Sequence, residues 1–250
     1  MKDLSRPRRV LLKLSGEALM GQLDFGIEAE MMSQVVHSIK AACTQGVQVA
    51  IVVGGGNIFR GVQGSASGMN RTRADQMGMM ATVMNGLALV DALERAGQTA
   101  QAFCAIEMPR VMQLFRRDEA IQALERGEVC VFAGGTGNPF FTTDSAAALR
   151  AAELEVDELL KGTQVNGVYE ADPRKVPEAR CYKTVSFATC LHQRLQVMDA
   201  SAFAICQNEQ INLRVFNMHQ DHVIERALLG EVQGTLVGVG LESSFSESSL

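Results

Sequence analysis

The chain lacks the side-chain groupings that many catalytic chemistries need. None of its six cysteines, at 43, 104, 130, 181, 190 and 206, stands at C-x-x-C spacing from another. Neither a zinc knuckle nor a dithiol redox pair is therefore expected, and the thiols read as reduced and buried, as in a cytoplasmic protein. The four histidines share no glycine turn and never form H-E-x-x-H, and no G-x-S-x-G elbow presents a serine, which sets aside zinc hydrolysis and acyl-enzyme chemistry. Positive charge is short too: 23 Lys and Arg against 28 Asp and Glu leave a net charge of −5, without the broad basic footprint of a nucleic-acid binder. The longest uncharged apolar stretch, about 76–90, is broken by Asn85 and is too short and polar to span a bilayer. The basic segment 1–9 is followed by no apolar run with a small-residue cleavage site, so no signal peptide is expected. Familiar nucleotide fingerprints fail as well. Gly54-x-Gly56 meets Phe59 where G-x-G-x-x-G needs glycine, and the P-loop spacings end in Val62 and Gln22 where lysine is required. No internal repeat is present. What remains is a globular chain of 250 residues, long enough to bury a full core.

Glycine at the ends of apolar runs is what the chain has instead. Val129-Cys130-Val131-Phe132 reads as a buried parallel strand and opens into Gly134-Gly135-Thr136-Gly137-Asn138-Pro139-Phe140-Phe141-Thr142-Thr143-Asp144. A helix should follow to about residue 155, capped by Thr143 or Asp144. Glycine lets amides close on a ligand, threonine and asparagine offer hydrogen bonds, and phenylalanine offers a flat apolar face. The run is therefore read as a recognition loop at a strand's carboxyl end, where open α/β sheets bind ligands. A second strand, 47–53, runs into Gly54-Gly55-Gly56-Asn57-Ile58-Phe59-Arg60-Gly61, whose amides and Arg60 guanidinium suit phosphate. Two further apolar runs, 8–16 and 156–163, carry a cation near their ends, Lys13 and Lys161. A lysine there is costly unless it emerges at an anion.

Residues 70–96 read as one long helix whose Met77, Met80, Met84 and Leu87, with Asp91, share a face that belongs to the core or to a subunit contact. Asp75, placed in its first turn, would favour the helix dipole. Further helices are expected at 27–45, 118–126, 188–194, 200–208 and 222–229, and strands at 100–105, 185–187, 213–216 and 235–239. Asn166-Gly167 and Asp172-Pro173 mark a second elaborate loop, and the Ser/Glu-rich segment 241–250 reads as a disordered tail. Cations and bare amides gathered at three strand ends of an acidic chain point to a small polyanionic ligand. Phosphoryl transfer fits best, because it asks for positioning and charge neutralisation and not for a protein nucleophile.

Lys13-Leu14-Ser15-Gly16-Glu17-Ala18, the 54–61 run, Asp75-x-Met77-Gly78-Met79, the 134–144 loop and Val165-Asn166-Gly167-Val168-Tyr169-x-x-Asp172-Pro173 stand in an order that resembles the bacterial UMP kinases of the amino-acid kinase superfamily. Val197-Met198-Asp199 and Arg214-Val215-Phe216-Asn217 extend the resemblance, which covers about 8–239. The expected fold is a three-layer αβα sandwich around a mostly parallel sheet. It would form a single domain over 1–240, with an acceptor half at about 8–155 and an ATP half at about 156–240. The resemblance implies reversible transfer of the γ-phosphoryl group from ATP, with Mg²⁺, to UMP, giving UDP for pyrimidine nucleotide synthesis. Lys13, Leu14, Ser15, Gly16, Gly56, Arg60, Thr163, Tyr169 and Asp172 would then bind ATP. Gly55, Asp75, Thr136, Gly137, Asn138, Pro139, Phe140, Phe141, Thr142 and Thr143 would bind UMP, with Asp75 on the ribose. The expected catalytic set is Lys13, Arg60, Asp144 and Lys161, and no metal ligand is assigned within the protein. Gly21, Gln22, Leu23, Asp24, Phe25 and Gly26 would serve activation by GTP, with UTP as inhibitor and a homohexamer built from dimers. Asn166 departs from the family pattern, standing where its turn carries Asp. Two rivals remain: a superfamily kinase acting on a carboxylate or carbamate, and a non-catalytic nucleotide- or oxyanion-binding protein of the same fold.

Overall fold

Arg9–Leu14, the first strand β1, is buried along its whole length and has helices against both faces. That is why its apolar run is continuous and does not alternate. A computed structural model describes residues 6–60, 68–195, 197–220, 222–231 and 234–246. Gly61 and Val62 lie outside the described residues. The remaining strands are β2 Gln48–Val53, β3 Ala100–Cys104, β4 Gln113–Leu114, β5 Val129–Ala133, β6 Glu158–Thr163, β7 Tyr182–Ser186, β8 Asn212–Asn217, β9 Thr235–Gly238 and β10 Ser244–Phe245. The helices are α1 Gly16–Met20, α2 Ala29–Thr44, α3 Arg71–Arg95, α4 Arg117–Glu125, α5 Thr143–Glu153, α6 Phe187–His192, α7 Ala200–Asn208 and α8 Val223–Leu229.

One ten-stranded sheet runs in the order β10-β7-β9-β8-β6-β1-β2-β5-β3-β4. Its pairings are parallel except β8 with β9 and β10 with β7. Val10, Leu12 and Leu14 pack with α2, α3 and α8 on one face. Leu11 and Leu159 pack with α4, α5, α6 and α7 on the other. The result is the expected αβα sandwich. The period-2 alternation of strands puts Lys13 on the α5 side with Leu11, and Lys161 on that side with Leu159. Buried thiols sit in these layers, and burial pushes those of Cys130, Cys190 and Cys206 up to about 12, far from a nucleophile's range.

Several expectations are corrected. The segment after Ser15 is not a simple turn: Ser15 accepts from the Ala18 amide and caps the short helix α1. The cap of α5 is Thr142, which accepts from Asp144 and Ser145 amides, so neither Thr143 nor Asp144 serves there. Asp75 lies beyond the first turn of α3, whose cap is Asn70, and so contributes little to the dipole. Met77, Met80, Met84 and Leu87 face outward, which removes the core reading of that stripe. The 241–250 segment is not wholly tail. β10 pairs with β7, and Phe245 stacks on Tyr182 with ring centroids 4.5 Å apart. Residues 247–250 lie outside the described residues.

Candidate active site

Parallel pairing of β1 with β6 sets Lys13 directly beside Lys161. Like charges at adjacent positions repel, and here a carboxylate divides them. Asp144, in the first turn of α5, has Oδ1 2.9 Å from Lys13 Nζ and Oδ2 2.6 Å from Lys161 Nζ. Lys161 also donates to the Val197 carbonyl. The carboxylate thus faces an ammonium at each of its oxygens. Burial would raise the Asp144 pKa, but the two ammonium groups outweigh it and hold the carboxyl below its ordinary range. Burial lowers the pKa of Lys161, with Asp144 pulling the other way. A carboxylate so held is a clamp for cations and a poor proton acceptor.

One cavity opens on the two lysines of this trio, and a second is lined by Thr142 and Thr143, which precede Asp144 in the chain. The larger, about 490 Å³, is lined by Lys13, Ser15, Lys161, Thr163, Tyr169 and Asp172 among others. All but Lys161, which was expected only in the catalytic set, are residues expected to meet ATP. Leu14 is fully buried in the core, and Gly16 supports the site through its backbone. A Cβ on Gly16 would fall 2.4 Å from Asn57 Oδ1 and 2.6 Å from the Gly56 amide, so only glycine lets the end of β1 approach the 54–56 turn. Arg60 bonds the Gly56 carbonyl through Nε at 3.1 Å and pairs with Glu17, a lining residue of the same cavity. Arg60 itself lines neither cavity; its partner Glu17 lines the one that Lys13 lines. At Asn166, the departure from the family turn, Oδ1 accepts from Asn217 at 3.0 Å.

The smaller cavity, about 180 Å³, is lined by Gly55, Asp75, Thr136, Asn138, Phe141, Thr142 and Thr143, all from the expected acceptor set. Gly137, Pro139 and Phe140 do not line it. Phe140 is 68% exposed with φ 72, and its amide donates to Asp75 Oδ2 at 2.9 Å. Asp75 is also gripped by Arg71 Nε, at 2.8 Å to both oxygens.

Residues 8–217 match the amino acid kinase family. The chain belongs to the amino acid kinase family. Among solved structures it is similar to the UMP kinase of Bacillus anthracis, with 33% identity, a TM-score of 0.92, and coverage of 97% of this chain and 100% of that one. It is similar also to the UMP kinase of Ureaplasma parvum, with 38% identity and a TM-score of 0.88 over 93% of this chain and 99% of that one. The uridylate kinase of Archaeoglobus fulgidus is more distant, at 28% identity and a TM-score of 0.70 over 91% and 99%.

Several residues of this amino acid kinase site escaped the sequence reading. Arg71 and Thr82 line the smaller cavity. Thr82 Oγ1 also accepts the Gly134 amide at 2.7 Å, which fastens the recognition loop to α3. A polar residue on the core-facing side of an otherwise apolar helical pattern was the available signal. Asp199, named as part of the resemblance but given no role, is a second case. Its carboxylate accepts from the hydroxyls of Thr142, Ser145 and Ser201 and from the Ala202 amide, the latter three at 2.8 Å. Burial opposes its ionisation, but these donors hold its pKa below the ordinary value. It thus caps α7 and steadies the cap of α5. Asp199→Ala should lower stability by about 2–3 kcal/mol, because three hydroxyls and a helix end lose their acceptor. Thermal unfolding checks this, and a shift under about 2 °C would contradict it.

Proposed function

We propose that this chain is a UMP kinase that transfers the γ-phosphoryl group of ATP to UMP. The observation that carries the reading is the Lys13–Asp144–Lys161 trio, whose two lysines line the larger cavity, while the Thr/Asn/Phe recognition loop that runs into Asp144 lines the smaller one. The acceptor phosphate of UMP is largely ionised at neutral pH, so no general base is needed, and Asp144 is too tightly paired to act as one. Its task is to hold two ammonium groups where negative charge spreads over the transferring oxygens. In this reading Gly55, Gly56 and Arg60 meet the phosphates, Asp75 the ribose, and residues 136–143 the uracil and phosphate of UMP. Thr163, Tyr169 and Asp172 would line the adenosine side.

Magnesium belongs to the same reading as a companion of ATP. No group of three His, Cys, Asp or Glu side chains able to hold a metal occurs among the described residues. Such a chain suits an ion held chiefly by phosphates and water. When bound, the ion would neutralise phosphate charge.

Regulation and assembly complete the proposal. GTP would activate through the 21–26 loop, whose Leu23 and Phe25 are exposed, and UTP would inhibit. The outward Met77, Met80, Met84 and Leu87 suit a subunit contact within a homohexamer. UDP production would supply pyrimidine nucleotides in the cytoplasm. No helix among the described residues is long and apolar enough to cross a membrane. The test is ADP release from Mg-ATP with UMP, CMP, dUMP, AMP, acetylglutamate and carbamate offered separately. Turnover is expected with UMP well above the rest. Preference for a carboxylate or carbamate, or no turnover at all, would reject the reading.

A further inference from the structure

Two amide side chains are buried where β2 passes into the glycine turn. Asn57 is 3% exposed and Asn85, in the middle of α3, is 0% exposed. They pair reciprocally: Asn85 Nδ2 donates to Asn57 Oδ1 at 2.7 Å, and Asn57 Nδ2 donates to Asn85 Oδ1 at 3.1 Å. Each amide has one N–H left, and each spends it on a backbone carbonyl. Asn85 Nδ2 reaches Gly54 O at 2.7 Å, and Asn57 Nδ2 reaches Gly26 O at 2.7 Å. The Asn57 backbone carbonyl in turn accepts the Gly26 backbone amide at 3.0 Å. Every amide donor is used.

Asparagine is a weak helix former, and burying its amide is costly unless every bond is made. A satisfied network of this kind specifies a single geometry. The geometry it specifies is that of the 54–56 turn, which has no slack. A Cβ on Gly55 would lie 2.8 Å from Ala81 Cβ and 2.9 Å from the Gly78 carbonyl. We propose that the Asn57–Asn85 pair is the positioning device of the transfer site, locking the Gly54–Gly56 turn against α3 and tying that turn to the 21–26 loop. The phosphate-facing role of the turn rests on the kinase reading above. The mechanical link between loop, amide pair and turn does not.

The test uses Asn85→Leu and Asn85→Asp in the full chain. Asn85→Leu keeps the volume, strips both donors from Gly54 and Asn57, and should lower kcat about tenfold or more while each KM stays within about threefold, as for a group that orients transition-state contacts. Amide hydrogen exchange should rise together in 21–26 and 54–60 and stay unchanged at β10. In Asn85→Asp a carboxylate oxygen opposes the Gly54 carbonyl at neutral pH, and burial raises its pKa. Protonation restores a donor, so the variant's kcat relative to wild type should climb as pH falls. Wild-type kcat in a folded Asn85→Leu, or faster exchange in only one of the two segments, overturns the proposal. If Asn85→Leu does not fold, a flat pH ratio for Asn85→Asp overturns it instead. A wild-type chain inactive with UMP would reject the kinase reading alone, and the exchange result would still decide the link.

Discussion

Asp144→Asn is expected to lose about a hundredfold or more of turnover, close to 2.7 kcal/mol of transition-state stabilisation. The amide cannot hold two ammonium groups, so Lys13 and Lys161, adjacent in register on β1 and β6, repel each other and leave their posts. Stability should fall too, because breaking a buried ion pair strands charge: about 3 kcal/mol, or about 6–12 °C in Tm for a chain of this size. Thr142 caps α5 in either case, so none of this loss comes from the helix end. The pH dependence has a definite sign. Asp144 is held below its ordinary pKa, so its stabilising effect is complete above about pH 4 and fades as pH falls through the folded value. The stability gap between wild type and variant should therefore narrow in acid. Because the stranded cations still want an anion, ADP should raise the variant's Tm more than it raises that of wild type. Wild-type turnover in Asp144→Asn would end the clamp assignment.

The sheet and its loops were legible because β strands that are buried on both faces leave unbroken apolar runs, and a lysine inside such a run stands out. Lys13 and Lys161 were singled out on that ground, and their pairing in register was not. Register is set by which strands become neighbours, and β1 lies between β2 and β6, far apart in the chain. The cap of α5 was missed by one residue because Thr142, Thr143 and Asp144 all suit the role, and only the tertiary pull of two lysines on Asp144 separates them. The outward Met stripe was ambiguous for a related reason: helical spacing says that residues share a face, not which face is covered. β10 was lost because a two-residue strand in a Ser/Glu-rich segment carries no periodicity, yet Phe245 on Tyr182 and under Arg180 secures it. Asn85 reads from sequence only as an interruption in an apolar stretch. Its partners lie 28 and 31 residues away.

Lys161→Met should also cost about a hundredfold or more in turnover, yet leave stability within about 1 kcal/mol of wild type. Asp144 keeps Lys13 as its partner, and removing a buried ammonium relieves the desolvation that lowers the Lys161 pKa. The informative variant combines both changes. In Asp144→Asn/Lys161→Met no second ammonium crowds Lys13, so most of the stability lost in Asp144→Asn should return, a coupling of about 1–3 kcal/mol between sites in direct contact. Turnover should not return, because the cation facing the transferring group is still missing. A clamp needed only for folding would recover both quantities together, whereas a clamp that positions charge for transfer recovers stability alone. Thermal unfolding and steady-state kinetics on the four chains distinguish the cases. If Lys161→Met alone keeps wild-type turnover, Lys161 is a structural cation and Lys13 carries the phosphoryl contact by itself.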